Sequence, residues 1–380
     1  MKKTFFSVAF SVLLFLPTFT HLRSSSSVAS DAEAGTVNAA RLPENLAIGK
    51  IQAGIAEAKR LLKREAHPPS TNFVTIAARD AATSQIHLLT LSKEAFLSNG
   101  AETIVKSSLE TPLKLRVVRS NYVNTAVEIT NLEGSDLQPL VVRYPVEKQG
   151  TLSEVAFYTS AHPAMESPEA TGAGQRYVHR MLEQARKSLN SKGVKISPDI
   201  VDVAERLCIV EHTDHKRFDA EDRAALFSEI YTLYALNAED TYRYSVSTAG
   251  AGGMIQMIPS TYEMVRRLHP DAGLEADFVG GMRNHANALE AMLLYMQDTW
   301  DDLVSREEIR QSLASQIATP AELLAAGYNS NPARLAVYLE RGGANWRTLI
   351  PRETQMYLRI YESVENHVRF TAHSPGEARG

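Results

Sequence analysis

The spacing of hydrophobic positions changes along this chain, from a two-residue period in one region to a helical period in another. Between 70 and 165, short apolar stretches alternate with polar residues, as at 113–117, where Lys114 and Arg116 separate the apolar positions. This period is typical of half-buried strands. Turn-forming segments separate the stretches, for example Glu-Gly-Ser-Asp at 133–136. The pattern predicts a β-sandwich-like domain of antiparallel strands, for which an immunoglobulin-like fold is one candidate. An irregular α+β domain is the alternative.

Helical periods lie on both sides of this region. The helix predicted before it has apolar residues at helical spacing, namely Ile48, Ile51, Ile55, Ala58 and Leu62. The segment 30–69 is therefore interpreted as a polar linker and one helix, which Pro68 and Pro69 end. Farther on, Ser197, Pro198 and Asp199 supply an N-cap, a first-turn proline and an early acid for a further helix. We expect an α+β chain whose second domain, over 175–370, is all-α.

The first 29 residues have the pattern of an export signal. Lys2 and Lys3 precede an almost uninterrupted apolar stretch from Phe5 to Leu16, and small residues lead to Ala29. A helix that spans a bilayer needs about 20 apolar residues, so this stretch is short for a membrane anchor. We interpret 1–29 as a signal peptide that is cleaved after export to the periplasm or cell envelope, with a retained anchor as the alternative.

Composition narrows the classes of partner. A chain of 380 residues is long enough for two domains with separate cores. Its net charge of −4 provides no global basic field, so we expect no nucleic-acid partner. The single cysteine, Cys208, excludes an internal disulfide and lies in an apolar stretch, where we expect it to be buried.

One carboxylate stands at the end of an apolar helical face. The face consists of Ile200, Val203, Ala204 and Leu207, and Glu211 continues it one turn later. Burial disfavours the charged form of a carboxylate and raises its pKa, which suits a general acid near neutral pH. The plainer interpretation is a boundary glutamate paired with an arginine, and spacing alone does not decide between the two.

Three blocks after Glu211 narrow the choice. Their sequences are STAGAGGMIQMIPST at 247–261, AAGYNSNPAR at 325–334 and LIPRETQMY at 349–357. Together with Glu211 they resemble the lytic transglycosylase family with the soluble-transglycosylase, lysozyme-like catalytic domain. The family pattern runs from a catalytic Glu to Ser-x-x-Gly-Ala-x-Gly and a Gln-x-x-Pro segment, then Ala-x-Tyr-Asn-Ala-Gly-Pro, then Leu-Pro-x-Glu-Thr-x-x-Tyr. The resemblance covers roughly 197–362.

The resemblance implies cleavage of the β-1,4 bond between N-acetylmuramic acid and N-acetylglucosamine in peptidoglycan. Glu211 would protonate the glycosidic oxygen and then accept the proton of the muramic acid 6-hydroxyl, which closes a 1,6-anhydro ring. No second carboxylate is required, unlike in most glycosidases. Ser247 and Gln256 would contact the sugar, Tyr328 would hydrogen-bond Glu211, and Asn329 would shape that corner of the site.

The resemblance also bears on cofactors and partners. It implies no cofactor and no metal, and its partner is the peptidoglycan glycan strand. Glu353, in the last block, is expected to connect helices rather than to contact substrate. An envelope or wall protein that binds the β-rich domain is a further open partner, and the oligomeric state is open.

The chain departs from the family pattern in three places. First, 36 positions (247 − 211) separate Glu211 from Ser247, and the intervening 224–236 is predicted to be an inserted helix. Glu229 in that helix is therefore the alternative acid. Second, His212 stands where the family usually has Ser. Third, Asn331 replaces a Gly in the Tyr-Asn-x-Gly-Pro segment.

Two other functions compete with this interpretation. Cys208, Glu211, His212 and His215 resemble an inverted zinc-protease motif, which would make the chain a zinc metallopeptidase but would leave the three blocks unexplained. A non-catalytic peptidoglycan-binding pseudoenzyme or scaffold would keep the blocks without the reaction.

Overall fold

The computed structural model describes residues 48–65 and 70–373. All of these residues belong to one compact unit. The predicted signal peptide, the polar linker and the Pro68-Pro69 helix stop lie outside the described residues. Within the described part of the chain, no helix has the length and apolar character to cross a membrane.

The β-rich region forms a single antiparallel sheet that is nearly closed. Its strands in the described residues are β1 (Phe73–Asp80), β2 (Ile86–Ser92), β3 (Glu102–Lys106), β4 (Pro112–Arg119), β5 (Ala126–Asn131), β6 (Asp136–Lys148) and β7 (Thr151–Tyr158). Their order is β2-β1-β6-β5-β4-β3, and β7 also pairs with β6. The backbone N–H of Ser108, in the β3–β4 turn, donates to Leu88 O in β2 at 2.9 Å, which brings the two edges together.

The two-residue period that the sequence predicts is present in the strands, but the predicted β-sandwich is not. Leu113, Leu115 and Val117 are all buried in β4, and the polar residues between them are exposed, as the two-residue period predicts. A sandwich would need two facing sheets. Instead the long strand β6 pairs with β1, β5 and β7 and keeps all the strands in one curled sheet around a shared core.

Two helices belong to this first region. The predicted helix is α1 (Ile48–Arg64), and α2 (Lys93–Phe96) is a single turn after β2. Ile51, Ile55, Ala58 and Leu62 of α1 are buried, as their spacing predicts, and they share a core with Leu140 and Val141 of β6. The helix therefore covers one face of the sheet.

The rest of the described chain is helical, so the predicted α+β order is confirmed. The helices are α3 (Pro168–Ser191), α4 (Pro198–Val210), α5 (His215–Ala220), α6 (Arg223–Asn237), α7 (Pro259–Leu268), α8 (Phe278–Arg283), α9 (His285–Val304), α10 (Glu307–Ala314), α11 (Pro320–Asn329), α12 (Leu335–Gly342) and α13 (Arg352–His367). Helix α4 packs against α3, α9, α11 and α13, which places it at the centre of the helical core.

Helix α6 joins the two regions. It coincides with the predicted insertion at 224–236, and its burial extends almost around its circumference. Leu233 lies in the core of the sheet, and Leu236 lies in the core that α1 covers. Because one helix supplies side chains to both, the sheet and the helices pack as one unit.

Candidate active site

Glu211 lies directly after the last residue of α4. The helix begins at the N-cap Ser197 with Pro198 in its first turn, as its sequence predicts, and ends at Val210. The predicted apolar face is buried, and so is Cys208. The Glu211 N–H donates to Leu207 O at 3.0 Å and continues the helical hydrogen bonding for one more residue. The C-terminal end of a largely buried helix therefore positions the carboxyl of Glu211.

The phenol that contacts Glu211 is Tyr357, not Tyr328 as predicted. Tyr357 is buried in α13, and its hydroxyl donates to Glu211 Oε1 at 2.6 Å. The Tyr328 hydroxyl donates instead to Ile255 O at 2.8 Å, because the end of α11 faces the glycine-rich block. Burial raises the pKa of Tyr328, and the charge of Glu211 raises it further, although no hydrogen bond joins the two groups.

The environment of Glu211 favours its neutral form. Burial raises the pKa of its carboxyl to about 8, against an opposing effect of the Tyr357 hydrogen bond and with a further increase from the charge of Glu353. Glu211 is nevertheless half-buried rather than sealed in the core, so part of the residue reaches the surface. A carboxyl that holds its proton near neutral pH and stays accessible can act as a general acid.

Glu229, the alternative acid, has the opposite environment. Arg119 of β4 donates to both of its oxygens at 3.2 and 2.9 Å, and Arg217 of α5 donates to both at 2.9 and 2.8 Å. Burial alone would raise the pKa of Glu229, but the hydrogen bonds from Arg217 and Arg119 outweigh it and hold the pKa below its ordinary value. Glu229 is an ionised structural partner of two arginines and has no proton to donate near neutral pH.

The glycine-rich block forms a tight turn against α8. Gly253 has φ +68, and a Cβ at this position would overlap Met282 O, so only glycine fits. His212 Nε2 lies 3.0 Å from Met254 O, and the Tyr328 hydroxyl holds Ile255 O. The turn is therefore fixed by the residue that follows Glu211 and by the second block.

Gln256 follows this turn in a left-handed conformation, with φ 46 and ψ 40. Its Nε2 donates to Gly253 O at 2.8 Å and to Ser245 Oγ at 3.2 Å, which fixes the orientation of the amide. The amide oxygen makes no hydrogen bond with any described residue, and the side chain is half-buried. It is therefore available to a ligand.

Ser247, Asn329 and Asn331 shape the surrounding loops. Ser247 is exposed, and its Oγ accepts from Ala251 N at 3.0 Å, so the hydroxyl proton is free to be donated elsewhere. Asn329 is half-buried at the last position of α11. Asn331, which stands where the resembled pattern has a glycine, has φ −81 and caps the following turn through Ala333 N. This loop has no need of glycine, because its backbone is not left-handed here.

The zinc-protease residues do not come together. The thiol of Cys208 is buried, His212 is turned towards Met254 O, and His215 is exposed at the start of α5. Across residues 48–65 and 70–373, these side chains form no trio of ligand atoms that one ion could join. Burial lowers the pKa of His212 to about 3, so its ring is neutral near neutral pH.

Two residues of the last block have roles that the sequence did not reveal. Tyr357 was part of the block without an assigned contact. Glu353 was expected to connect helices, but it is exposed and makes no hydrogen bond or ion pair within the described residues. Its charge acts on Glu211 instead. The signal for both was their place in the Leu-Ile-Pro-Arg-Glu-Thr-Gln-Met-Tyr block.

Comparison of the chain with protein-family models, with curated proteins and with solved structures finds no match. A function for this chain is therefore argued from its own residues.

Proposed function

We propose that this chain is a peptidoglycan lytic transglycosylase, in which Glu211 alone acts as acid and then as base. The observation that carries the proposal is the desolvated carboxyl of Glu211, whose pKa is raised to about 8 and which the Tyr357 hydroxyl holds in place. The helical region would be the lysozyme-like catalytic domain, and 1–29 would export it to the cell envelope.

The proposed reaction uses both protonation states of Glu211. The protonated carboxyl donates its proton to the oxygen between N-acetylmuramic acid and N-acetylglucosamine as the bond from C1 of the muramic acid to that oxygen breaks. The muramic acid 6-hydroxyl oxygen then bonds to C1, and its proton returns to the Glu211 carboxylate. The carboxyl is regenerated, and no water is consumed. A pKa near the working pH serves both steps, because it makes proton donation and recovery comparably easy.

The other residues would bind and orient the glycan. Gln256 presents an amide oxygen without a protein partner in the described residues, which suits the N–H of an N-acetyl group. Ser247 would donate its hydroxyl proton to the sugar. Tyr328 holds the backbone of the glycine turn rather than the acid, so its contribution would be to position Gln256. Asn329 would line the same corner.

Digestion of purified peptidoglycan sacculi tests the proposal. The wild-type chain is expected to release muropeptides that end in 1,6-anhydro-muramic acid, identified by mass spectrometry. Glu211→Gln is isosteric and should lower the rate by at least about 100-fold, the usual contribution of a general acid. Glu229→Gln and the exposed Glu221→Gln serve as matched controls and should retain activity per folded molecule.

The outcomes separate the competing functions. A wild-type chain that binds sacculi and releases no fragments would be the non-catalytic binding protein. Reducing ends in place of anhydro ends would identify a muramidase that adds water. Full activity of Glu211→Gln together with loss in Glu229→Gln would move the acid to Glu229 and overturn the proposed mechanism.

A further inference from the structure

A second cluster of ionisable side chains surrounds Glu205 of α4, and none of its members is assigned to the glycan. His179 of α3, Glu205 of α4 and His373 after α13 each offer one ligand atom, and these three atoms lie within 4.8 Å of one another. His373 Nε2 is 2.9 Å from Glu205 Oε2, and His179 Nδ1 is 3.3 Å from the same oxygen. Ligand atoms about 2.0–2.1 Å from a tetrahedral zinc ion lie roughly 3.3 Å apart, so the separation of each imidazole nitrogen from Glu205 Oε2 is close to that of zinc ligands.

Glu205 is the deeply buried carboxylate at the centre of this cluster. Its carboxylate is nine-tenths or more buried, with 4% of the side chain exposed. No Lys or Arg nitrogen forms an ion pair with it in residues 48–65 and 70–373, and its partners there are the two imidazoles. Buried carboxylates in proteins are paired with a cation or coordinate a metal, because an isolated buried charge is costly.

The neighbours of the cluster match the surroundings of a histidine–metal site. His373 Nδ1 lies 2.6 Å from Glu183 Oε1, so the ring nitrogen that faces away from Glu205 is held by a carboxylate. Metal-bound histidines usually donate their other ring N–H to such a group, which fixes the tautomer and the ring orientation. Arg186 balances Glu183 through its second oxygen at 3.2 Å, and Asp202 accepts the His373 backbone N–H at 3.0 Å.

We propose that His179, Glu205 and His373 bind a divalent transition metal ion of the zinc class, with Glu183 orienting His373. Two His and one Glu form a ligand set that zinc accepts, and a water molecule completes it. The rings of His179 and His373 are stacked with centroids 4.1 Å apart, so His179 would have to turn its ring to coordinate an ion together with His373. Its side chain is 31% exposed, which leaves room for that rotation.

The site would connect three segments of the catalytic region. Glu205 lies six positions (211 − 205) before the proposed acid on α4, and His373 follows α13, which carries Tyr357. An ion bound by this cluster would connect three elements: α4, which precedes the proposed acid Glu211, the segment after α13, and α3. The proposal is independent of the proposed glycan chemistry.

Titration of the chelator-stripped full chain with zinc chloride tests this site by calorimetry and thermal unfolding. We expect one zinc ion per chain and an unfolding temperature that rises with zinc concentration, with no comparable effect of magnesium chloride, since magnesium prefers oxygen ligands. His179→Ala changes a half-exposed residue and should abolish stoichiometric binding. Glu183→Gln should weaken zinc affinity by about 10- to 100-fold, the usual effect of losing such an orienting group.

His269→Ala is the matched control, because His269 Nε2 also contacts a carboxylate, Asp298 Oδ2 at 2.8 Å, at a separate place. This variant should keep the wild-type zinc affinity. Absence of stoichiometric zinc binding in the wild-type chain would overturn the proposal. Equal zinc affinity in the wild-type chain and His179→Ala would place the ion elsewhere and would overturn it too.

Discussion

At the scale of single residues, two glutamates in neighbouring helical segments have opposite chemistry. Glu211 loses solvent, and a single phenol donor opposes that effect only in part, so the pKa of its carboxyl rises to about 8. Glu229 loses solvent as well but accepts from two arginines, so its pKa falls. Burial alone therefore does not make a general acid. The absence of a cationic partner within the described residues distinguishes Glu211.

Tyr357→Phe tests the contact with the acid. Its hydroxyl lowers the pKa of Glu211, so removal should shift the alkaline loss of kcat/KM, expected near pH 8 in the wild type, to higher pH. Loss of a hydrogen bond to an ionisable group costs about 1.5–3 kcal/mol, so kcat should fall roughly 10- to 100-fold. The same helix offers a control, Tyr361→Phe, which should leave the pH profile unchanged. A Tyr357→Phe profile identical to that of the wild type would contradict this contact.

Stability gives a measure of the pKa of Glu211 that does not depend on activity. The folded pKa lies above the unfolded value of 4.5, so the contribution of Glu211 to stability is complete below pH 4.5 and is lost as the pH rises towards about 8. The free energy of unfolding of Glu211→Gln, relative to the wild type, should therefore increase over this range, by at most about 1.4 kcal/mol per pH unit.

Urea unfolding at a series of pH values measures this difference. Glu229→Gln is a control of opposite sign, because the lowered pKa of Glu229 stabilises the wild type above the unfolded value and that stabilisation is lost as the pH falls. A difference between Glu211→Gln and the wild type that stays constant with pH would show that the carboxyl is not desolvated.

The sequence alone predicts the position of Glu211 on a buried face but not its hydrogen-bond partner. The helical spacing of apolar residues placed Glu211 at the end of a buried face, as the structure has it. Its hydrogen-bond donor is 146 positions away along the chain, and spacing carries no information on contacts at that range. The sequence accordingly assigned the bond to Tyr328, whose hydroxyl finds a backbone carbonyl instead.

At the scale of elements, the turn before Gln256 is the most constrained part of the site. Its glycine, Gly253, combines a left-handed backbone with close contact to α8, so neither a different φ nor a side chain is tolerated. Gly273 has a nearly identical φ of +69, but a Cβ added there would meet no atom within 4 Å. Substitutions at these two glycines therefore distinguish the cost of backbone strain from the cost of steric overlap.

We expect Gly253→Ala to be more harmful than Gly273→Ala. Both variants place a non-glycine residue in the left-handed region, at about 1–2 kcal/mol. Gly253→Ala also forces its methyl group against Met282 O, which adds roughly 1–3 kcal/mol. It should also reduce glycan cleavage, because the displaced turn carries Gln256. Urea unfolding and sacculus digestion measure both effects, and equal losses of stability in the two variants would contradict this view of the turn.

The sequence predicts the strands and helices themselves but not the closure of the strands into one curled sheet. Alternation in β4 and helical spacing in α1 both correspond to buried residues in the structure. Alternation shows that one face of a strand is buried but does not identify what covers it, so a sandwich and a curled sheet give the same pattern. The side chain of Leu233, supplied from α6, fills part of the sheet core, and no local pattern indicates this.

At the scale of the whole molecule, an ion-pair network connects the sheet to the helices that follow Glu211. Arg119 at the end of β4 and Arg217 of α5 share Glu229, and α5 begins four positions (215 − 211) after Glu211. Helix α6, which the sequence predicts to be an insertion between Glu211 and Ser247, thus has a structural role. It connects the β-rich region to the segment that follows Glu211.

Arg119→Ala should destabilise the fold by about 1–3 kcal/mol, less than the loss of a fully buried pair because Arg217 still compensates Glu229. Arg116→Ala, three positions earlier in the same strand, breaks an ion pair whose side chains are about half exposed and should change the stability by less than about 1 kcal/mol. Equal effects of the two substitutions on urea unfolding would show that the network does not join the regions.

Digestion of sacculi in water labelled with oxygen-18 tests the central claim most directly. If the muramic acid 6-hydroxyl closes the ring and Glu211 accepts its proton, the new muramic acid ends carry no label and are one water lighter than hydrolysed ends. Glu211→Gln should then produce almost none of them. Labelled reducing ends from the wild-type chain, or unchanged product from Glu211→Gln, would contradict the account.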